Sequence, residues 1–200
     1  MDFFNYIDGK AHCENVPLEQ LAQTYGTPLY VYSHATLKRH VTKLLESFSQ
    51  YPTLACFAVK SNSNLSILKE VFALGCGADL VSEGELERSR LAGVDPQKIV
   101  FSGVGKKRQE IEAGLKANIL AFNVESSFEL ETILDVARSV DKKAQVALRI
   151  NPNIDAKTNP KIATGLHSTK FGLVEEEALE LARRLKENAH ADLIGIARHI

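Results

Sequence analysis

From Leu54 onward the chain repeats one unit: a short apolar run with no polar alternation, followed by a stretch whose apolar residues recur every three or four positions. Runs of the first kind suit parallel strands covered on both faces, and stretches of the second kind suit helices with one buried stripe. The pattern predicts strands at 54–60, 78–81, 99–102, 119–124 and 145–150, with helices at 65–74, 83–92, 108–116 and 127–139 between them. Strand starts lie about 20 to 26 residues apart, the spacing of βα units. Ser82 with Glu85 and Ser126 with Glu129 read as capping boxes at helix starts, while Gly75 and Gly93 follow helical stripes as stop signals. After 150 the rhythm breaks into a loop, NPNIDAKTNPKIATGLHSTKFG, before a helix at 174–188 and a last apolar run at 193–200. Long loops of this kind in compact domains are often functional.

The apolar runs end on polar, chemically capable residues: Lys60, then Asp79 with Ser82, then Ser102, Asn123, Arg149 and His199. A doubly wound sheet would scatter these strand ends. A (β/α)8 TIM-type barrel brings them all to one face, where such barrels assemble their active sites, so the barrel is the expected fold class. Lys60 closes the run LACFAV at the barrel mouth. Against apolar surroundings an amine loses hydration, its neutral form becomes available, and it can condense with a carbonyl as a Schiff-base lysine. The bland alternative for Lys60 is a solvated strand cap. Asp79 has two readings as well, contact with a bound group or satisfaction of strand-end amides. Arg149 emerges from the buried run QVALRI and requires an acid partner, which can lie beyond residue 200. Glu85 is read as a helix cap, and Lys157, Lys161, His167 and Lys170 of the long loop as solvated, or as meeting an anionic substrate or phosphate where the loop lies over the barrel mouth.

Upstream of this repeat, residues 3–13 read as a hairpin turning at Asp8-Gly9, a dipeptide suited to two-residue turns. A helix at 17–24, stopped by Gly26 and Pro28, leads to a strand at 29–32. Ser33 then caps a helix carrying Leu37, Val41, Leu44, Leu45 and Phe48 on one face.

With 200 residues, 44% of them hydrophobic, the chain can bury a sizeable core. A formal net charge of −1, with both signs spread along the sequence, gives no footprint for nucleic acid or an anionic membrane surface, and a small molecule is the expected partner. Cys13, Cys56 and Cys76 are odd in number and form no CxxC pair, and they read as reduced core residues. No basic segment precedes a long apolar one and no run reaches a membrane span, so cytoplasmic location is expected.

Five segments in this order, FAVKSNSN, GADLVSEGEL, FNVES, RINPNIDAKTNP and TGLHSTKFGL, resemble the diaminopimelate decarboxylase family, with the resemblance covering residues 25–200. It implies the fold type III, alanine racemase-like architecture of pyridoxal 5'-phosphate enzymes, a (β/α)8 barrel with a second, β domain built from both chain ends. Residues 1–33 would contribute to that β domain and 34–200 would form part of the pyridoxal phosphate-binding barrel. By motif position, Lys60 resembles the lysine that binds the cofactor covalently, Asp79 the acid beside it, Arg149 the arginine under the cofactor ring and His199 the histidine stacked on it; no metal is implied. The implied reaction is decarboxylation of meso-diaminopimelate to L-lysine by a homodimer. A sister decarboxylase acting on arginine, ornithine or carboxynorspermidine, a non-catalytic paralogue, and a cofactor-free aldolase-like barrel using Lys60 are the alternatives. Where the family usually carries GxHCHIGS this chain has GIARHI, so Ala197 and Arg198 replace a histidine and a cysteine. The resemblance also implies that these 200 residues are the N-terminal half of such a protein, and that alone they are inactive and poorly soluble.

Overall fold

The computed structural model describes residues 2–154 and 171–199. At the N-terminus, β1 (Phe4–Ile7) and β2 (Lys10–Cys13) form the expected hairpin, and its turn residues Asp8 and Gly9 both have positive φ, at 49° and 76°. A third short strand, β3 (Val16–Pro17), pairs antiparallel with β2, so the hairpin has its sheet partner within 17 residues of the start. Helix α1 (Leu18–Tyr25) follows and stops at Gly26. The strand expected at 29–32 does not form. Tyr30 is 86% and Tyr32 58% exposed, and no neighbouring strand offers these residues hydrogen bonds among the described residues. Helix α2 (His34–Ser47) starts at Ser33, whose hydroxyl accepts the Thr36 N–H at 3.0 Å.

The remaining strands are β4 (Cys56–Ala58), β5 (Gly77–Leu80), β6 (Ile99–Phe101), β7 (Ala121–Val124), β8 (Ala144–Arg149) and β9 (Ala191–Ala197). All are parallel, and their order in the sheet is their order in the chain. The crossovers are α3 (Leu65–Ala73), α4 (Glu83–Leu91), α5 (Arg108–Ala117), α6 (Ser127–Ser139) and α7 (Glu175–Leu185). Among the described residues β4 and β9 are the two edges of this sheet.

The apolar runs conceal an alternation. Ala78 and Leu80, Ile99 and Phe101, Phe122 and Val124, and Val146 and Leu148 are buried in the core against the helices, with Leu68, Ile111, Leu130 and Ile133 opposite them. The intervening positions, Ala58, Asp79, Val100, Ser102 and Asn123, face a cavity on the other side of the sheet. The sheet is therefore packed on one face and lines a site on the other, not buried on both as the unbroken runs suggested. Period-two burial of this kind is what a curved sheet with a functional interior requires.

The strand expected at 54–60 is shorter, Cys56–Ala58, and only half-buried, because β4 pairs with β5 alone. Val59 to Ser61 form a single tight helical turn that carries Lys60. Both predicted capping boxes form only in half. Ser82 and Ser126 accept the Glu85 and Glu129 N–H groups, at 3.3 and 3.1 Å, but the glutamate side chains do not return to the cap. Glu85 Oε2 instead accepts the Val81 N–H at 2.9 Å.

Candidate active site

A cavity of about 430 Å³ lies at the C-terminal ends of the parallel strands, lined among others by Lys60, Asp79, Arg149 and His199. The chain brings all four sequence-singled residues to one place. Its size suits a small molecule, since ligand sites span roughly 300–1,000 Å³. A groove of similar volume, about 450 Å³, lies beside the starts of α2 and α3 and holds the exposed His34–Glu70 pair at 2.8 Å. It has no buried polar cluster, which makes the strand-end cavity the candidate site.

Each functional group is delivered by a strand end or the turn after it. Lys60 sits on the turn after β4 and is exposed, so the apolar enclosure expected around its amine is absent at this edge of the sheet. Asp79 projects from β5, and its Oδ1 accepts the Ser102 hydroxyl at 2.5 Å. The Ser102 oxygen in turn accepts the Asn123 side-chain N–H at 2.9 Å. Three adjacent strands thus hold one chain of hydrogen bonds along the cavity floor, and among the described residues Asp79 is fixed by this side chain, not by strand-end amides. His199 follows β9 by two residues, next to Arg198, which also lines the cavity.

Arg149, at the end of β8, finds its acid partner inside the described chain and not beyond residue 200. Its Nη1 donates to Glu125 Oε1 at 3.0 Å, and its guanidinium lies 5.1 Å from the centre of the Phe171 ring. Stacking and ion pairing together restrict a planar guanidinium. Glu125 was not singled out by the sequence reading. The available signal was positional: it follows β7, the strand beside β8, and an acid there faces an arginine closing the next strand.

A second charge pair was missed as well. Lys106 Nζ donates to Glu129 Oε1 at 2.7 Å, to the Asn123 carbonyl at 2.7 Å and to the Gly103 carbonyl at 2.9 Å. Burial pushes the Glu129 carboxyl up from its ordinary value, against the pull of Lys106. Cys56 also lines the cavity, and burial, aided by Asp79 and Cys76, pushes its thiol up to about 11. Cys13 and Cys76 are buried, as expected, but Cys56 is not a core residue: it is half-buried at the cavity because its strand is an edge of the sheet. Among the described residues no cluster suited to a metal ion occurs, and no helix is long and apolar enough to cross a membrane. Lys157, Lys161, His167 and Lys170 lie outside the described residues.

Comparison with known proteins gives one consistent result. Residues 34–200 match the family described as pyridoxal-dependent decarboxylase, pyridoxal binding domain. Diaminopimelate decarboxylase of Vibrio cholerae is 50% identical over the whole of this chain and 48% of its own length, and that of Pseudomonas aeruginosa is 46% identical over the same shares. The crystal structure of diaminopimelate decarboxylase from Helicobacter pylori complexed with L-lysine superposes with a TM-score of 0.89 at 49% identity, over 92% of this chain and 46% of that one. The enzyme from M. jannaschii in co-complex with L-lysine reaches 0.92 at 40% identity, over 100% and 48%. The chain spans about half the length of the relatives it matches.

Proposed function

Because the chain belongs to the pyridoxal-dependent decarboxylase family and carries its pyridoxal binding domain over residues 34–200, we propose that the strand-end cavity holds pyridoxal phosphate and serves the decarboxylation of meso-2,6-diaminopimelate to L-lysine. The observation that carries this reading is the convergence of Lys60, Asp79, Arg149 and His199 on one cavity of about 430 Å³. The groups present fit the cofactor. A primary amine can take its carbonyl, Arg198 offers a cation for its anionic parts, and the small residues Ala58, Ser102 and Gly103 leave room for a flat ring.

When bound, pyridoxal phosphate supplies the electron sink that accepts the charge left as carbon dioxide departs. The chain's own residues orient and protonate. Lys60 would hold the cofactor through its Nζ, and the same amine, when free, would carry a proton at the reacting centre. Asp79, fixed by Ser102, presents a held carboxylate to the same space. Arg149, restrained by Glu125 and Phe171, and His199 line the same cavity and would hold the ring in place. Of the alternatives, the sister decarboxylases differ in substrate only, and a side-by-side assay with diaminopimelate, arginine and ornithine separates them.

The test is to treat the intact gene product with pyridoxal phosphate, reduce with borohydride and map the labelled peptide. The pyridoxyl group is expected on Lys60, and Lys60→Ala is expected to lose it with nearly all turnover. Principal labelling of another lysine would overturn the assignment.

The same reading makes the intact protein a cytoplasmic homodimer, assigns residues 1–33 to a β domain and 34–200 to the barrel, and makes the 200-residue chain alone inactive. Among the described residues the edge strands β4 and β9 pair on one side only, and Ile194 and Ile196 are 47% and 67% exposed, a surface prone to aggregate. Size-exclusion chromatography of the 200-residue chain checks this, and a monodisperse species binding one cofactor per chain would refute it.

A further inference from the structure

Four charged side chains at and behind the cavity wall form one connected, electrically balanced assembly. Arg149 pairs with Glu125 at 3.0 Å and Lys106 with Glu129 at 2.7 Å, and their side chains are 12%, 1%, 1% and 6% exposed in that order. Gly103 joins the two pairs. Its N–H donates to Glu125 Oε1 at 2.9 Å, while its carbonyl accepts Lys106 Nζ at 2.9 Å. Both peptide groups of a cavity-lining residue are therefore clamped by buried charge. Gly103 itself sits at φ 92°, and a methyl group there would press on Val81 Cγ1 at 3.2 Å, so the position suits glycine.

Burying four charges is a poor route to stability, since apolar residues of similar volume commonly serve as well or better. The assembly's geometry points to another use. Its least buried member, Arg149, is the one that reaches the cavity, and Glu125 Oε2 has no hydrogen-bond partner among the described residues. The carboxylate is thus committed through a single oxygen, which receives both the Gly103 N–H and the guanidinium.

We propose that Glu125 is a positioning residue for the cofactor site, fixing the Arg149 guanidinium at the cavity wall while the Lys106–Glu129 pair holds Gly103, and through it Glu125, in register. The inference rests on the pyridoxal phosphate reading given above. Glu125 touches neither cofactor nor substrate and acts through Arg149.

The test is a cofactor-binding cycle on the intact gene product, read by titration with pyridoxal phosphate and accompanied by melting curves. Glu125→Gln keeps the shape and an acceptor for Gly103 but removes the charge, and it is expected to weaken cofactor binding on the order of tenfold, the scale on which lost outer-shell partners act. Arg149→Gln is expected to weaken it at least as much, and Glu125→Gln/Arg149→Gln no more than Arg149→Gln alone. If Glu125→Gln fails to fold for want of a partner to the buried guanidinium, the double variant, which removes both charges, carries the comparison. Losses that add in the double variant, or a Glu125→Gln protein that binds the cofactor as the wild type does while Arg149→Gln does not, would overturn the positioning role and leave the functional reading standing. A wild-type protein that binds no pyridoxal phosphate would overturn both.

Discussion

Gly77 and Lys98 approach so closely that a methyl group on Gly77 would lie 2.1 Å from the Lys98 carbonyl oxygen and 3.0 Å from Cys56 Sγ. The contact is between backbones where β5 begins, so no side-chain rotation relieves it. Gly114 presents a milder case inside α5, where a methyl group would lie 2.7 Å from Phe122 Cζ, the edge of a ring that is 1% exposed. Gly114→Ala gains about 1 kcal/mol of helix propensity and loses more to overpacking, for a net cost of about 1 kcal/mol. Gly77→Ala has no compensating gain and is expected to cost about 3 kcal/mol or more, because a strand must move. Urea unfolding of the two variants checks the order, and a neutral Gly77→Ala would contradict the packing described at the start of β5.

Glu14 ties the hairpin to α2, accepting the Ala35 N–H at 2.8 Å and the Ser33 hydroxyl at 2.7 Å. Those hydrogen bonds, the backbone one foremost, hold its carboxyl below the ordinary glutamate value of 4.5. A group whose folded pKa is depressed stabilises the fold above its unfolded pKa and ceases to do so as pH falls through the folded value. The stability difference between wild type and Glu14→Gln should therefore be constant from neutral pH down to about 4.5 and shrink below it. Thermal melts of both proteins across that range measure the difference directly, and a gap that widens on acidification would reverse the sign argued here.

Cys56 should be a slow nucleophile although it lines the cavity. Its thiol is pushed up to about 11, chiefly by burial, so the reactive thiolate is scarce at neutral pH. Alkylation of Cys56 by iodoacetamide should be much slower in the folded than in the urea-unfolded protein. Its rate should still be rising above pH 9, where an ordinary thiol levels off, and mass-spectrometric peptide mapping against pH follows it. Rapid labelling of Cys56 at pH 7 would show that the burial is not felt by the thiol.

The sequence showed the βα repeat because each apolar run has one face that must pack on helices, and large side chains such as Phe101 and Phe122 mark that face. It did not show the alternation within the runs, since Ala58, Val100 and Ala121 look apolar whichever way they point. The strand expected at 29–32 failed for a different reason: β-prone residues such as Tyr30 and Tyr32 form a strand only where a neighbour supplies hydrogen bonds. At the candidate site, Lys60, Asp79, Arg149 and His199 were legible because each closes an apolar run. Glu125 and Lys106 were not, because their significance is relational. Glu125 lies 24 residues from Arg149 and Lys106 lies 23 from Glu129, and only the parallel pairing of neighbouring strands turns those separations into contacts.

In the six-stranded sheet every strand lies beside its predecessor in the chain. No strand must be threaded between two that already exist, so each new βα unit needs only the edge left by the last, and the loop to be closed is short. A growing polypeptide emerging from the ribosome at about 5–20 residues per second would leave each fresh edge waiting on the order of a few seconds for its successor. The serial layout thus lets synthesis itself set the assembly order, from β4 toward β9, with only the growing edge changing as each strand is added while the β4 edge stays as it was.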